Sequence, residues 1–130
     1  MARSIIRTFT KDWQAAVVGS NETTRLFTAS KGDVVLSCVV IPLVNAAPGT
    51  TSTIEVGDTN DTDRYVTTSN VDLRTSAVGT PVSGTGAGLS SAPYAYPADS
   101  GINIVYTANS ATGAKPAVRV IATILRTAGA

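Results

Sequence analysis

The chain has 130 residues, with ten basic groups, nine acidic groups, no histidine, one cysteine and 43% apolar residues. That is material for a single domain spanning 1–130, able to bury one core without disulfides or a structural metal. A net charge of +1 provides no field for a phosphate backbone, and the lack of histidine removes the commonest general base and transition-metal ligand. Nucleic-acid partners and most hydrolase and zinc-enzyme chemistries are therefore not expected.

β-Branched residues and turn-formers alternate along most of the chain, and no long window carries a 3.6-residue apolar repeat, so an all-β fold is expected. Residues 1–20 read as an N-terminal arm. The opening MARSIIRTFTKDW lacks the apolar run and small-residue cleavage site of a secretory signal, which predicts synthesis in a cytoplasm. Ile5 to Thr10 is an edge strand or part of that arm. Lys11 to Val18, where Trp13, Ala16 and Val17 share a face, is allowed one or two helical turns. Thr23 to Ala29 is the next strand, with Leu26 and Thr28 on one side and Arg25, Phe27 and Ala29 on the other.

A Lys31-Gly32 turn leads into Asp33 to Val44. Strict alternation puts Val34, Leu36, Cys38 and Val40 on one face and Val35, Ser37, Val39 and Ile41 on the other. Both faces are apolar, so this strand is covered on two sides or lends its outer face to a partner. Ser37 and Pro42 interrupt it, and it falls far short of the ~20 residues of a membrane helix, so no membrane partner is expected. After the turn cluster Asn45 to Gly49, Thr51 to Val56 is expected to complete a hairpin with it.

Thr75 to Gly101 is a long loop rich in Gly, Ser, Thr, Ala and Pro, with Tyr94 and Tyr96 its only large residues; loops of that length usually carry contacts or function. Ile102 to Thr107 and Val118 to Leu125 alternate cleanly and are expected to pair across the Asn109 to Gly113 turn. The whole reads as a two-sheet β-sandwich, jelly-roll-like or immunoglobulin-like.

Candidate sites are few. Asp58, Asn60, Asp61 and Asp63 crowd oxygen ligands into one turn, as calcium requires. Against a helix-loop-helix calcium loop, however, Asp63 stands where glycine is needed and Ser69 where glutamate is needed. The simpler reading has Asp58, Asn60 and Asp61 holding a turn through side-chain to backbone bonds, with Asp63 and Arg64 neutralising each other or a neighbour. Cys38 lies mid-strand among apolar residues and reads as inert core. Lys31 and Lys115 are solvated turn lysines. The glycine run Gly84 to Gly88 follows no expected strand and opens no expected helix, which makes it a flexible loop and not a phosphate cradle. Tyr94 and Tyr96, between Pro93 and Pro97, either stack on sugar rings or pin the long loop. No catalytic, cofactor-binding or metal-binding residue is assigned, no cofactor is expected, and the chain reads as a non-enzyme.

Three segments, IEVGDTNDTDRYV at Ile54 to Val66, YPADSGINIVYT at Tyr96 to Thr107 and AVRVIATIL at Ala117 to Leu125, follow one another in an order that resembles small virion proteins of tailed bacteriophages. That resemblance extends from Gly32 to Leu125. It implies a capsid decoration or cement protein on the outer surface of the virion, made in the host cytoplasm and bridging subunits of the major capsid protein. Tail, head-to-tail or fibre-associated virion proteins, and a carbohydrate-binding sandwich using Tyr94 and Tyr96, with or without calcium at Asp58 and Asp63, are the alternatives. Only 15% of residues are charged, a surface poorly suited to a solitary molecule, so a homo-oligomer, dimer or trimer, is expected. Its self-association face is expected at Val35, Val39, Ile41, Ile121 and Leu125, with Met1 to Lys11 and Thr75 to Gly101 as contact arms.

Overall fold

The computed structural model describes residues 3–17, 20–46, 51–90, 92–108 and 114–128. The elements in chain order are β1 (Arg3–Gln14), β2 (Glu22–Ala29), β3 (Val34–Val44), β4 (Ser52–Gly57), β5 (Val82–Ser83), the one-turn helix α1 (Ala87–Ser90), β6 (Ser100–Ala108) and β7 (Ala117–Ala128). They build two antiparallel sheets, ordered β1-β7-β3-β5 and β2-β6-β4. The all-β sandwich expected from the alternation is the observed fold.

Period-two patterning places the core. Val118, Val120, Ala122 and Ile124 of β7 point inward from one sheet, and Ile102, Ile104 and Tyr106 of β6 point inward from the other. Ile54 and Val56 of β4, with Val35, Cys38 and Val40 of β3, complete the contact between the layers. Phe9 of β1 and Phe27 of β2 stack 5.0 Å apart where the two sheets approach at one side.

Both expected hairpins are absent. β3 and β4 lie in different sheets, and so do β6 and β7. Two strands that face each other across a core show the same alternation as two neighbours in one sheet, so patterning identifies the buried face and not the partner. β7 instead runs beside β1 from Arg3↔Ala128 to Gln14↔Ala117, joining the two ends of the chain. Residues 47–49 of the first turn cluster and 109–113 of the second lie outside the described residues.

Three local expectations are also corrected. Lys11 to Gln14 is extended and paired with β7, so the helical turns expected there do not form; Val18 lies outside the described residues. Of the two readings of Ile5 to Thr10, the edge strand is the one found, and it is longer than expected, running from Arg3 to Gln14. In β3 the register shifts between Val35 and Ser37, and in β2 between Arg25 and Phe27. A bulge inserts one residue and reverses the alternation beyond it. Val35 is therefore only 2% exposed while Leu36 is 44% exposed, and in β2 Leu26 and Ala29 are buried together.

Candidate functional site

The long segment from Thr75 to Gly101 is anchored from beneath by a buried polar cluster. Asp58 follows β4 directly and is 2% exposed. Its Oδ1 accepts the backbone N–H groups of Asn60 (3.0 Å) and Asp61 (2.9 Å), and its Oδ2 accepts Arg64 Nε and the Tyr96 hydroxyl, both at 2.8 Å. The Tyr96 and Tyr65 hydroxyls lie 2.6 Å apart. Arg64 in turn covers the Tyr94 ring at 3.8 Å, and Tyr94 meets Tyr96 edge to face. Burial pushes the Asp58 carboxyl up, but the bonds from Arg64, Tyr96 and the Asp61 N–H hold it below the ordinary carboxylate value. Burial, then the bonds to Tyr65 and Asp58, raise Tyr96; burial raises Tyr65 to about 12.

A second buried carboxylate completes the anchor. Asp33, at 0% exposure, accepts Arg126 Nη2 (2.7 Å) and Nε (3.0 Å) and the Ser30 N–H (2.8 Å). Burial acts to raise its pKa, and the bonds from Arg126 and Ser30 with the charges of Arg126 and Arg7 outweigh it and lower it. The Tyr96 backbone joins the two groups: its N–H donates to Asp33 O, and its carbonyl accepts the Gly32 N–H at 2.7 Å. Gly32 has φ +88°, the left-handed conformation this turn needs.

Among the side chains of the Asp58 to Asp63 turn, it is that of Asp58 that bonds the turn's backbone. Asn60 contributes its N–H, and Asp61 contributes its N–H and its carbonyl, which accepts from Asp58 and Arg64. Arg64 neutralises Asp58, not Asp63. Asp63 instead sits by Asp61, whose side-chain hydrogen bond, with partial burial and like charge, raises the Asp63 carboxyl. A guanidinium, a hydroxyl and two amides occupy the Asp58 oxygens where a cation would bind. Among the described residues no group of three or more metal-ligating side chains converges.

The glycine run is packed, which corrects its reading as a flexible loop. It follows β5 and opens α1, and Gly86 and Gly88 donate their N–H groups to the carbonyls of Tyr65 and Arg64. A Cβ on Gly86 would collide with Arg64 O, so only glycine permits this backbone contact. Those two amides are spent on protein. Cys38 is buried, and desolvation pushes its thiol up to about 12. Lys31 and Lys115 are exposed. Tyr96 pins the loop, and Tyr94 gives one ring face to Arg64.

The outer faces of the two sheets differ in chemistry. On the four-stranded sheet the register aligns Ile6 with Leu125 and Val34, Ile121 with Val39, and Ile41 with Arg119. Ile6 is 59% exposed, and Val39, Ile41, Ile121 and Leu125 are half-buried. The expected self-association face is therefore assembled on one surface except for Val35, which the β3 bulge sends into the core. Among the described residues, charge on this face is confined to one end, where Asp12 and Arg119 pair at 2.7 Å. The outer face of the three-stranded sheet carries Thr23, Arg25, Asn103, Thr107, Thr53 and Glu55, with Val105 its sole large apolar side chain among the described residues.

Sequence reasoning missed Asp33–Arg126 and the link from Asp58 to Tyr96. Arg126 carried a signal, since it continues the inward series Val118, Val120, Ala122, Ile124 in phase. A charged side chain in phase with a buried set needs a buried partner.

No family model matches the chain, and neither does any curated protein. Two solved structures are similar to it. A chain of the cyanophage Pam1 capsid asymmetric unit is 20% identical with a TM-score of 0.66, over 95% of this chain and 85% of that one. A chain of the acidic stable capsid structure of Helicobacter pylori bacteriophage KHP30 is 10% identical with a TM-score of 0.63, over 100% of both chains. The two-sheet fold assembled here is thus one that chains of two bacteriophage capsids share along nearly their whole length.

Proposed function

We propose that this chain is a non-enzymatic structural protein of a bacteriophage virion. Its role is to decorate and cement the capsid exterior by bridging subunits of the major capsid protein. The observation that carries the proposal is the apolar outer face of the four-stranded sheet, set on a fold similar to chains of two phage capsids. Two apolar rows, Ile6, Leu125 and Val34 and then Ile121 and Val39, stand on this face on either side of the uncharged row Thr8, Thr123 and Ser37, and an uncharged face rich in aliphatic side chains suits docking. The buried ion pairs and the pinned loop supply a rigid body whose exposed face keeps one shape. Many copies on a symmetric shell add their contacts, so each contact is allowed to be weak.

Quantitative mass spectrometry and electron microscopy of purified virions test the assignment. A cement role predicts copies in proportion to the major capsid protein and density on the shell exterior. A few copies per particle would transfer the chain to the tail, the head-to-tail junction or a fibre, and complete absence from virions would overturn the proposal.

A further inference from the structure

Resting on that virion role, we propose that the free edge of β1 is a docking site for an extended acidic segment of another virion chain, which adds to the four-stranded sheet as a further strand. β1 is 12 residues long and pairs only with β7; among the described residues no strand occupies its other edge. A typical strand has about five or six residues, and proteins usually shorten or cover an edge to stop unwanted pairing. Here the edge is long and is flanked by Ile5 and Ile6, 40% and 59% exposed.

Charge selects the occupant. In the register with β7, Arg7, Phe9, Lys11 and Trp13 lie on the side of β1 facing Ile124, Ala122, Val120 and Val118, with Ile5 in the same phase. Phe9 and Trp13 are covered, whereas Arg7 and Lys11 are exposed, and neither has an ion-pair partner among the described residues. The phase Ile5, Arg7, Phe9, Lys11, Trp13 contains no acid. A second copy of β1 laid antiparallel therefore offers these cations no counter-charge in any register that matches faces. Centred on Phe9, it sets Arg7 directly against Lys11. Like charges opposite each other destabilise a strand pair and opposite charges stabilise it. The arrangement disfavours self-pairing and suits a foreign strand carrying two carboxylates four residues apart on one face. Backbone hydrogen bonds supply affinity and the paired charges supply selection.

The test uses the purified full chain and two blocked nine-residue peptides of alternating valine and threonine. One carries two glutamates four apart on one face, and the other carries lysines in their place. Amide hydrogen exchange is read by NMR for the β1 amides that β7 does not bond. The glutamate peptide is expected to slow them by about tenfold at millimolar concentration, and the lysine peptide by under twofold. Lys11→Glu should weaken the glutamate peptide by about threefold to tenfold. Arg7→Glu with Lys11→Glu should reverse the preference, and Lys11→Glu alone keeps the test valid if the double variant does not fold. Equal protection by both peptides, no protection by either, or β1 amides already protected in a self-associated free protein would each overturn the docking site. Because no virion enters this assay, its failure leaves the copy-number measurement standing, and the reverse also holds.

Discussion

The cluster beneath the long loop and the outer face of the four-stranded sheet reverse the usual placement of charge and grease. Inside, Asp33 and Asp58 are ionised at 0% and 2% exposure, each held by an arginine. Outside, Val39 lies beside Ile121 with Ile41 next along β3, and Leu125 stands beyond the Thr123 and Ser37 row, all without a covering layer among the described residues. The difference separates two tasks. The charges spend all their bonds within the chain and fix a glycine-rich segment with little apolar material of its own. The aliphatic side chains have no such internal partners, so their stabilisation is left for a surface beyond the chain.

Removing one side of the inner charge pair should have the largest effect. Asp58→Ala leaves Arg64, 13% exposed, without its counter-ion and takes the Asp58 partner from the Tyr96 hydroxyl and two turn amides. A loss of about 3–5 kcal/mol is expected, read by urea denaturation, with the loop from Thr75 to Gly101 becoming protease-sensitive first. An unchanged midpoint would mean that the cluster is incidental to the loop. Acid should act on the same groups. Asp33 and Asp58 have folded-state pKa values below the ordinary one. Their contribution is therefore complete above the unfolded value of about 3.9 and is lost as pH falls through the folded values. The melting temperature should stay level from neutrality to about pH 5 and fall below about pH 4. Asp58→Asn should flatten part of that fall.

Substitution on the outer face should leave the fold standing and remove assembly. Val39→Lys places a charge at a half-buried site, with about 1 kcal/mol of stability at stake. It also plants that charge within this face, where docking to empty phage heads should weaken by about 2 kcal/mol or more. Val105→Lys, on the other sheet beside Glu55, is the matched control and should dock normally. Equal loss from both variants, seen by co-sedimentation, would erase the distinction between the two faces.

Patterning made the inner faces of β6 and β7 legible because alternation is a local consequence of one buried side. It failed for β3 at the bulge, where a single inserted residue exchanged the roles of Val35 and Leu36. It also failed for the two hairpins, since neighbours and opposites share one pattern. The apolar outer face was legible from the two-sided greasiness of β3, apart from Val35. The inner cluster was not, because its members stand far apart in sequence: Asp33 with Arg126, and Asp58 with Tyr96. Only Arg126 broke a local pattern, while Asp58 lay in a turn where an aspartate needs no explanation.

The smallest expected effect separates the turn from the cluster it borders. An acidic run at Asp58, Asp61 and Asp63 invites the view that each carboxylate holds the turn. The Asp61 contacts to that turn, however, are its backbone N–H and carbonyl, which alanine retains. Its side chain instead lies against Asp63 and, by hydrogen bond and like charge, raises that carboxyl. Asp61→Ala should therefore change stability by no more than about 0.5 kcal/mol. It should also return the Asp63 carboxyl toward its ordinary value, as followed by NMR titration. A loss comparable to that of Asp58→Ala would show that the Asp61 carboxylate carries part of the anchor, and would extend the inner cluster out to the solvent-facing turn.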